Sequence, residues 1–103
     1  MKVRSIIFMA ALFTAMNVCG QTQVMAHRGY WDKEGASQNS RASLRNALDL
    51  NVYGSETDIW ITVDGHLMVN HDPSFGGVTL QTSTYEQCKD LTLSNGEKMP
   101  ELK

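Results

Sequence analysis

Apolar residues recur along this chain in three different patterns, and each predicts a different element. Ile6 to Val18 is a nearly unbroken apolar run behind two cations, Lys2 and Arg4. Val24-Met25-Ala26 is a short run that stops at the polar triplet His27-Arg28-Gly29, the pattern of a buried strand that delivers side chains at its C-terminal end. Leu44, Ala47 and Leu48 repeat at helical spacing, with Ala42 and Leu50 beside them and Ser43 one turn before Ala47. Arg41, Arg45, Asn46 and Asp49 take the outer face, so the spacing predicts an amphipathic helix over 41–50. Ser40 is suited to cap its start, and Asn51, which tolerates a left-handed conformation, to cap its end.

Between Tyr30 and Asn39 the chain is rich in Gly, Ser, Asp and Asn and reads as a loop. Tyr53 to Val63 is enriched in Tyr, Thr, Ile, Trp and Val and predicts one strand. Asp64-Gly65 is a hairpin signal, with Leu67-Met68-Val69 as the return strand. The link is too short for the crossover that parallel pairing needs, so the pair is antiparallel. Pro73 to Gly77 reads as a loop, Tyr85 to Lys89 as a short helix capped by Ser83 or Thr84, Asn95-Gly96 as a turn, and Pro100 as the opening of a further helix. Strand, helix, hairpin and short helix in that order begin an α/β architecture without completing one.

The first apolar run changes the picture of the rest. Its charged start, its length and the Val18-Cys19-Gly20 stretch predict a secretory signal peptide over 1–20, leaving residues 21–103 as the folded part. The run is shorter than the roughly 20 residues that a membrane-spanning helix needs, so no transmembrane span is expected in the mature chain. Export to a periplasmic or extracellular space follows. A lipid anchor on Cys19 is the alternative to cleavage after Gly20, although Met16-Asn17-Val18 departs from the small-residue box that precedes such cysteines. Removing Lys2 and Arg4 leaves 7 of the 9 basic residues against 11 acidic ones, a formal charge of −4. With no basic cluster, nucleic acid is excluded as a partner. Cys88 has no partner for a disulfide in the mature chain apart from Cys19, and no zinc-type cysteine spacing occurs.

Glu56 and Asp58 stand two apart on the predicted strand, so both face the same way. Like charges so placed repel; either that face is solvated or a cation sits between them, and carboxylate oxygens suit a hard divalent ion such as Ca²⁺ or Mg²⁺. With Asp64-Gly65 as a two-residue loop, Asp58 pairs with His71, which brings an imidazole beside the two carboxylates as a proton-transfer group. Arg28, at the end of the first strand, is the residue type that grips phosphate through two hydrogen bonds while keeping its charge. For His27 beside it, a structural histidine at a strand end is the commoner reading of the residues alone. His66, by the hairpin turn, is expected to be exposed and without function, and Asp72 to bond locally or orient a loop.

His27-Arg28-Gly29, Ser37-Gln38-Asn39-Ser40, Glu56-Thr57-Asp58, Thr62-Val63-Asp64-Gly65 and His71-Asp72 resemble, in order and spacing, the opening of glycerophosphodiester phosphodiesterases. The resemblance implies the N-terminal portion of a (β/α)₈ TIM-type barrel, truncated here, since such barrels run to about 250 residues. It implies a divalent cation, Ca²⁺ or Mg²⁺, held by Glu56 and Asp58, with His27 and His71 as the general acid/base pair and Arg28 on the phosphate. The implied reaction is hydrolysis of glycerophosphodiesters to glycerol 3-phosphate and an alcohol. Two departures stand out: the family's usual Pro-Glu-Asn-Thr is Ser37-Gln38-Asn39-Ser40 here, and its third acidic ligand comes from a later strand. Gln38 and Asn39 are therefore placed near the site with no catalytic role. Two alternatives accompany this reading. One is a related barrel phosphodiesterase acting on phosphoinositide or sphingomyelin head groups. The other is an inactive fragment whose uncovered strand edge and apolar face promote aggregation.

Overall fold

The computed structural model describes residues 20–103; the predicted signal peptide, with Cys19, lies outside the described residues except for Gly20. Met25–Ala26 (β1) and Gly54–Ser55 (β2) form a short parallel pair, connected through the 30–39 loop and the helix Arg41–Asp49 (α1). The helix starts as its sequence predicts: the Ser40 hydroxyl accepts the Ser43 amide at 3.0 Å. Glu97, from a distant loop, accepts the Ala42 amide at 3.4 Å, so a second free N–H of the first turn is also met. Leu50 closes the helix and Asn51 follows with φ +52°, the left-handed turn expected of it. The predicted apolar stripe divides. Ala47 and Ser43 are buried, whereas Leu44 and Leu48 are 48% and 70% exposed.

The strand expected over Tyr53–Val63 is two strands. After β2 the backbone leaves the β1–β2 sheet through 56–58 and enters a second sheet as Ile59–Ile61 (β3), which pairs antiparallel with Leu67–Val69 (β4). Their register also corrects the expected pairing. Ile59 faces Val69 and Ile61 faces Leu67, so Asp58 lies opposite Asn70, whose N–H donates to the Asp58 carbonyl at 3.1 Å; it does not face His71. The cause is a three-residue loop, Val63-Asp64-Gly65, instead of the two-residue turn. The Thr62 hydroxyl donates to the Asp64 carboxylate at 2.7 Å and accepts the His66 amide at 2.9 Å, and Gly65 takes φ +87° as its N–H closes onto the Thr62 carbonyl. A slip of one residue sends each side chain to the other face of the ribbon.

Two further differences are local. The stretch Pro73 to Gly77, read as a loop, holds the first strand and turn of a hairpin, Ser74–Phe75 (β5) with Val78–Thr79 (β6), turned by Gly76-Gly77, both at positive φ. Pro100 does not open a helix: it is buried, its carbonyl accepts the Val69 amide, and Glu101–Leu102 (β7) adds to the outer edge of β4. The short helix Tyr85–Cys88 (α2) forms as predicted, with the Gln87 side chain accepting the Thr84 amide. Met68, Leu80, Cys88 and Met99 form the buried core, with Trp60, Phe75, Val78, Tyr85 and Leu91 packed around them. Among the described residues no helix is long and apolar enough to cross a membrane.

His66 is half-buried rather than exposed. Its Nδ1 lies 2.7 Å from Glu101 Oε1 across the β4–β7 edge, and its ring stacks on Tyr85 at 4.3 Å. That hydrogen bond holds the Glu101 carboxyl below its ordinary value of 4.5. A carboxyl depressed in the folded state contributes stability above its unfolded value and loses it as pH falls through the folded one. The thermal midpoint is therefore expected to drop below about pH 4.5, and His66→Ala to flatten that drop. Melting curves between pH 3 and 7 check this; identical acid limbs for the two proteins would exclude the pair as a contributor. Asp64, depressed by the Thr62 hydroxyl, titrates in the same window, which is why the variant comparison is needed.

Candidate functional site

The site is built where β1 ends. Arg28 and Gly29 both take positive φ, +59° and +78°, and Asn39 takes +56°. Non-glycine residues rarely occupy this region, and when they do they cluster at functional positions. The turn is held from several sides. The Arg28 amide donates to Glu56 Oε2 at 3.0 Å, and the Arg28 carbonyl accepts the Asn39 amide at 3.0 Å and the Ser43 hydroxyl at 3.1 Å. Glu56 thus reaches the turn from just after β2, the strand parallel to β1. The Arg28 side chain is four-fifths covered. Nη1 donates to Gln38 Oε1 at 2.6 Å, while the buried Nε has no hydrogen-bond partner and lies 3.8 Å from Asp58 Oδ2.

Glu56 and Asp58 therefore converge on one arginine, although the strand expected to place them is interrupted there. Asn39 completes the arrangement. It is buried, its Nδ2 donates to Asp58 Oδ2 at 2.9 Å, and its Oδ1 accepts the Thr57 hydroxyl at 2.9 Å and the Asp58 amide at 3.3 Å. The resemblance placed Asn39 near the site without a catalytic role; among the residues themselves, the tolerance of asparagine for left-handed backbone is the signal that marks it.

The histidines are arranged less tightly. His27 is exposed, with Nε2 3.8 Å from Glu56 Oε2. His71 is half exposed; its Nδ1 lies 2.7 Å from Asp72 Oδ1, and its carbonyl accepts Trp60 Nε1. A carboxylate only accepts, so in the neutral imidazole Nδ1 carries the proton and Nε2 keeps its lone pair. Despite the shifted register, His71 shares an open cleft of about 710 Å³ with Arg28, Gln38, Asn70, Asp72 and Phe75. Neither histidine hydrogen-bonds to Glu56 or Asp58 among the described residues.

Donor chemistry decides whether a cation suits this place. Glu56 and Asp58 each commit one oxygen to a protein donor, leaving Glu56 Oε1 and Asp58 Oδ1 without a partner among the described residues. Two free carboxylate oxygens fit a hard divalent ion, but they are only two of the six or more that such an ion takes. Consistently, among the described residues no three His, Cys, Asp or Glu side chains gather closely enough to hold a metal by themselves.

No protein-family model matches the chain. Comparison with individual proteins is informative. It is 37% identical over 79 residues to a glycerophosphodiester phosphodiesterase of Caldanaerobacter subterraneus subsp. tengcongensis, covering 77% of this chain and 30% of that protein. It is 33% identical over 73 residues to another from Bacillus altitudinis, covering 66% of this chain and 29% of that one. The crystal structure of a glycerophosphodiester phosphodiesterase from Parabacteroides distasonis matches with a TM-score of 0.75 and 51% identity, over 77% of this chain and 33% of the solved one. The chain resembles part of a glycerophosphodiester phosphodiesterase. A putative glycerophosphodiester phosphodiesterase from Galdieria sulphuraria, 21% identical with a TM-score of 0.68, supports the fold alone. Both solved relatives are TIM-type barrels, so the α/β segment described above is a portion of such a barrel. The chain spans about a third of the length of the glycerophosphodiester phosphodiesterases it matches.

Proposed function

We propose that this chain supplies one wall of a hydrolytic site for glycerophosphodiesters, yielding glycerol 3-phosphate and an alcohol. The observation that carries the reading is the convergence of Glu56 and Asp58 on Arg28, beside a cleft that also receives His71. The 51% identity to a phosphodiesterase of the same fold supports it.

In this mechanism Arg28 binds and orients the phosphate, its charge offsetting that of the phosphoryl oxygens. One of His27 and His71 takes the proton from the attacking oxygen, and the other protonates the departing alkoxide. Asp72 keeps the His71 proton on Nδ1, which leaves Nε2 ready to receive one. Glu56 and Asp58 would hold Ca²⁺ or Mg²⁺, and such an ion polarises a phosphoryl oxygen and helps neutralise developing charge. Asn39 positions the Asp58 carboxylate for that task.

The test is hydrolysis of glycerophosphocholine by the full chain, with product glycerol 3-phosphate measured directly. Release is expected with Ca²⁺ or Mg²⁺ present, loss on adding a chelator, and recovery when the ion is restored in excess. Chelator-resistant hydrolysis would remove the cation from the scheme, and no release under any ion would sink the reading for this chain. The predicted export belongs to the same proposal: it places the reaction outside the cytoplasm, on head groups released from lipids.

A further inference from the structure

We propose that Gln38 is a second phosphate-binding residue, which orients Arg28 without neutralising it. This rests on the reading of Arg28 as the anion site. Arginine only donates, so the atom that receives Nη1 at 2.6 Å is the amide oxygen of Gln38. The bond fixes which way the amide lies. It leaves the two N–H donors of the same amide without a partner among the described residues, on an exposed residue that lines the cleft with Arg28 and His71.

The charge of the surroundings makes this neutrality matter. Around the cleft two cations, Arg28 and Lys33, face three carboxylates, Asp32, Glu34 and Asp72. Asp58 already stands 3.8 Å from Arg28 Nε. A further carboxylate on Nη1 would close a tight ion pair, and an incoming phosphate would meet a guanidinium whose field is largely cancelled. A glutamine holds the same geometry, adds no charge, and offers donors where a carboxylate offers only lone pairs.

The test is binding of inorganic phosphate by calorimetry to the full chain and to Gln38→Glu, Gln38→Ala and Arg28→Gln, at low and moderate salt. Gln38 is exposed, so the variants at that position fold; circular dichroism verifies it. Gln38→Glu is expected to weaken phosphate about tenfold, more at low salt than at moderate salt. Gln38→Ala is expected to weaken it less, because the donors are lost but no charge is added. Arg28→Gln is expected to abolish binding. If Arg28→Gln abolishes binding and Gln38→Glu binds as the unmodified chain does, the proposal for Gln38 fails while the Arg28 site stands. If neither substitution changes binding, the Arg28 reading fails and this proposal with it.

Discussion

His71→Ala is expected to lower the turnover of glycerophosphocholine by about 10²- to 10⁴-fold, the usual weight of a positioned acid/base group. The loss should fall on kcat, because His71 meets the substrate through a proton that moves only in the reaction. Its ring is half exposed and lies outside the buried core, so stability should change little. Asp72→Asn separates the two parts of the arrangement: the ring stays in place, but the acceptor that keeps the proton on Nδ1 is weakened. A smaller fall, with the pH profile displaced, is the expected signature. Steady-state kinetics for both variants, with melting temperatures alongside, check this. Activity in His71→Ala within twofold of the unmodified chain would refute the assigned role.

Gly29→Ala is expected to cost about 3–5 kcal/mol, enough to prevent stable folding of a domain this small. Two effects add at that position. The backbone sits at φ +78°, which side-chain-bearing residues rarely adopt, and an added Cβ would come within 2.7 Å of the backbone of Ser43 in α1. That contact cannot be relieved by rotating a flexible side chain. Ser43 is itself buried, and its hydroxyl donates to the carbonyl of Arg28, so movement of α1 would pull the phosphate arginine out of place. The measurement is the thermal midpoint and near-ultraviolet circular dichroism of the variant. A midpoint unchanged to within a degree or two would mean that the turn at 28–29 tolerates what its geometry forbids.

Much of this was legible from local pattern. The stop of an apolar run at His27, helical spacing from Arg41, a Ser40 cap and the return strand Leu67–Val69 each follow from a few neighbouring residues, and each is present. Glu56 and Asp58 were recognisable as a pair because a shared charge problem requires a shared solution, and Arg28 joined them only through the family resemblance. Features that depend on side chains meeting across the chain were not. The hairpin register turns on one hydroxyl, Thr62, choosing Asp64 as its partner, and a dipeptide signal carries no trace of that choice. The break at 56–58 arises because Glu56 and Asp58 are drawn to Arg28 and Asn39 from outside the strand. Pro100 became the approach to a strand because β4 had an open edge to offer. Asn39 looked like a loop residue because its three partners, Arg28, Thr57 and Asp58, are remote from it in sequence.

The uneven burial of the two halves has a consequence for how the cleft behaves in time. The lobe around Met68, Leu80, Cys88 and Met99 is sealed, while β1, α1 and β2 share little more than Ala47 and Ser43 as buried packing. Opening free energy follows local burial, so the first half should loosen well before the second. Arg28 and Glu56 ride on the looser half, and His71 on the firmer one. The spacing between the group that grips phosphate and the group that moves protons is thus set by a joint between a soft body and a stiff one. Leu44 and Leu48 stand exposed on the outer side of that looser half.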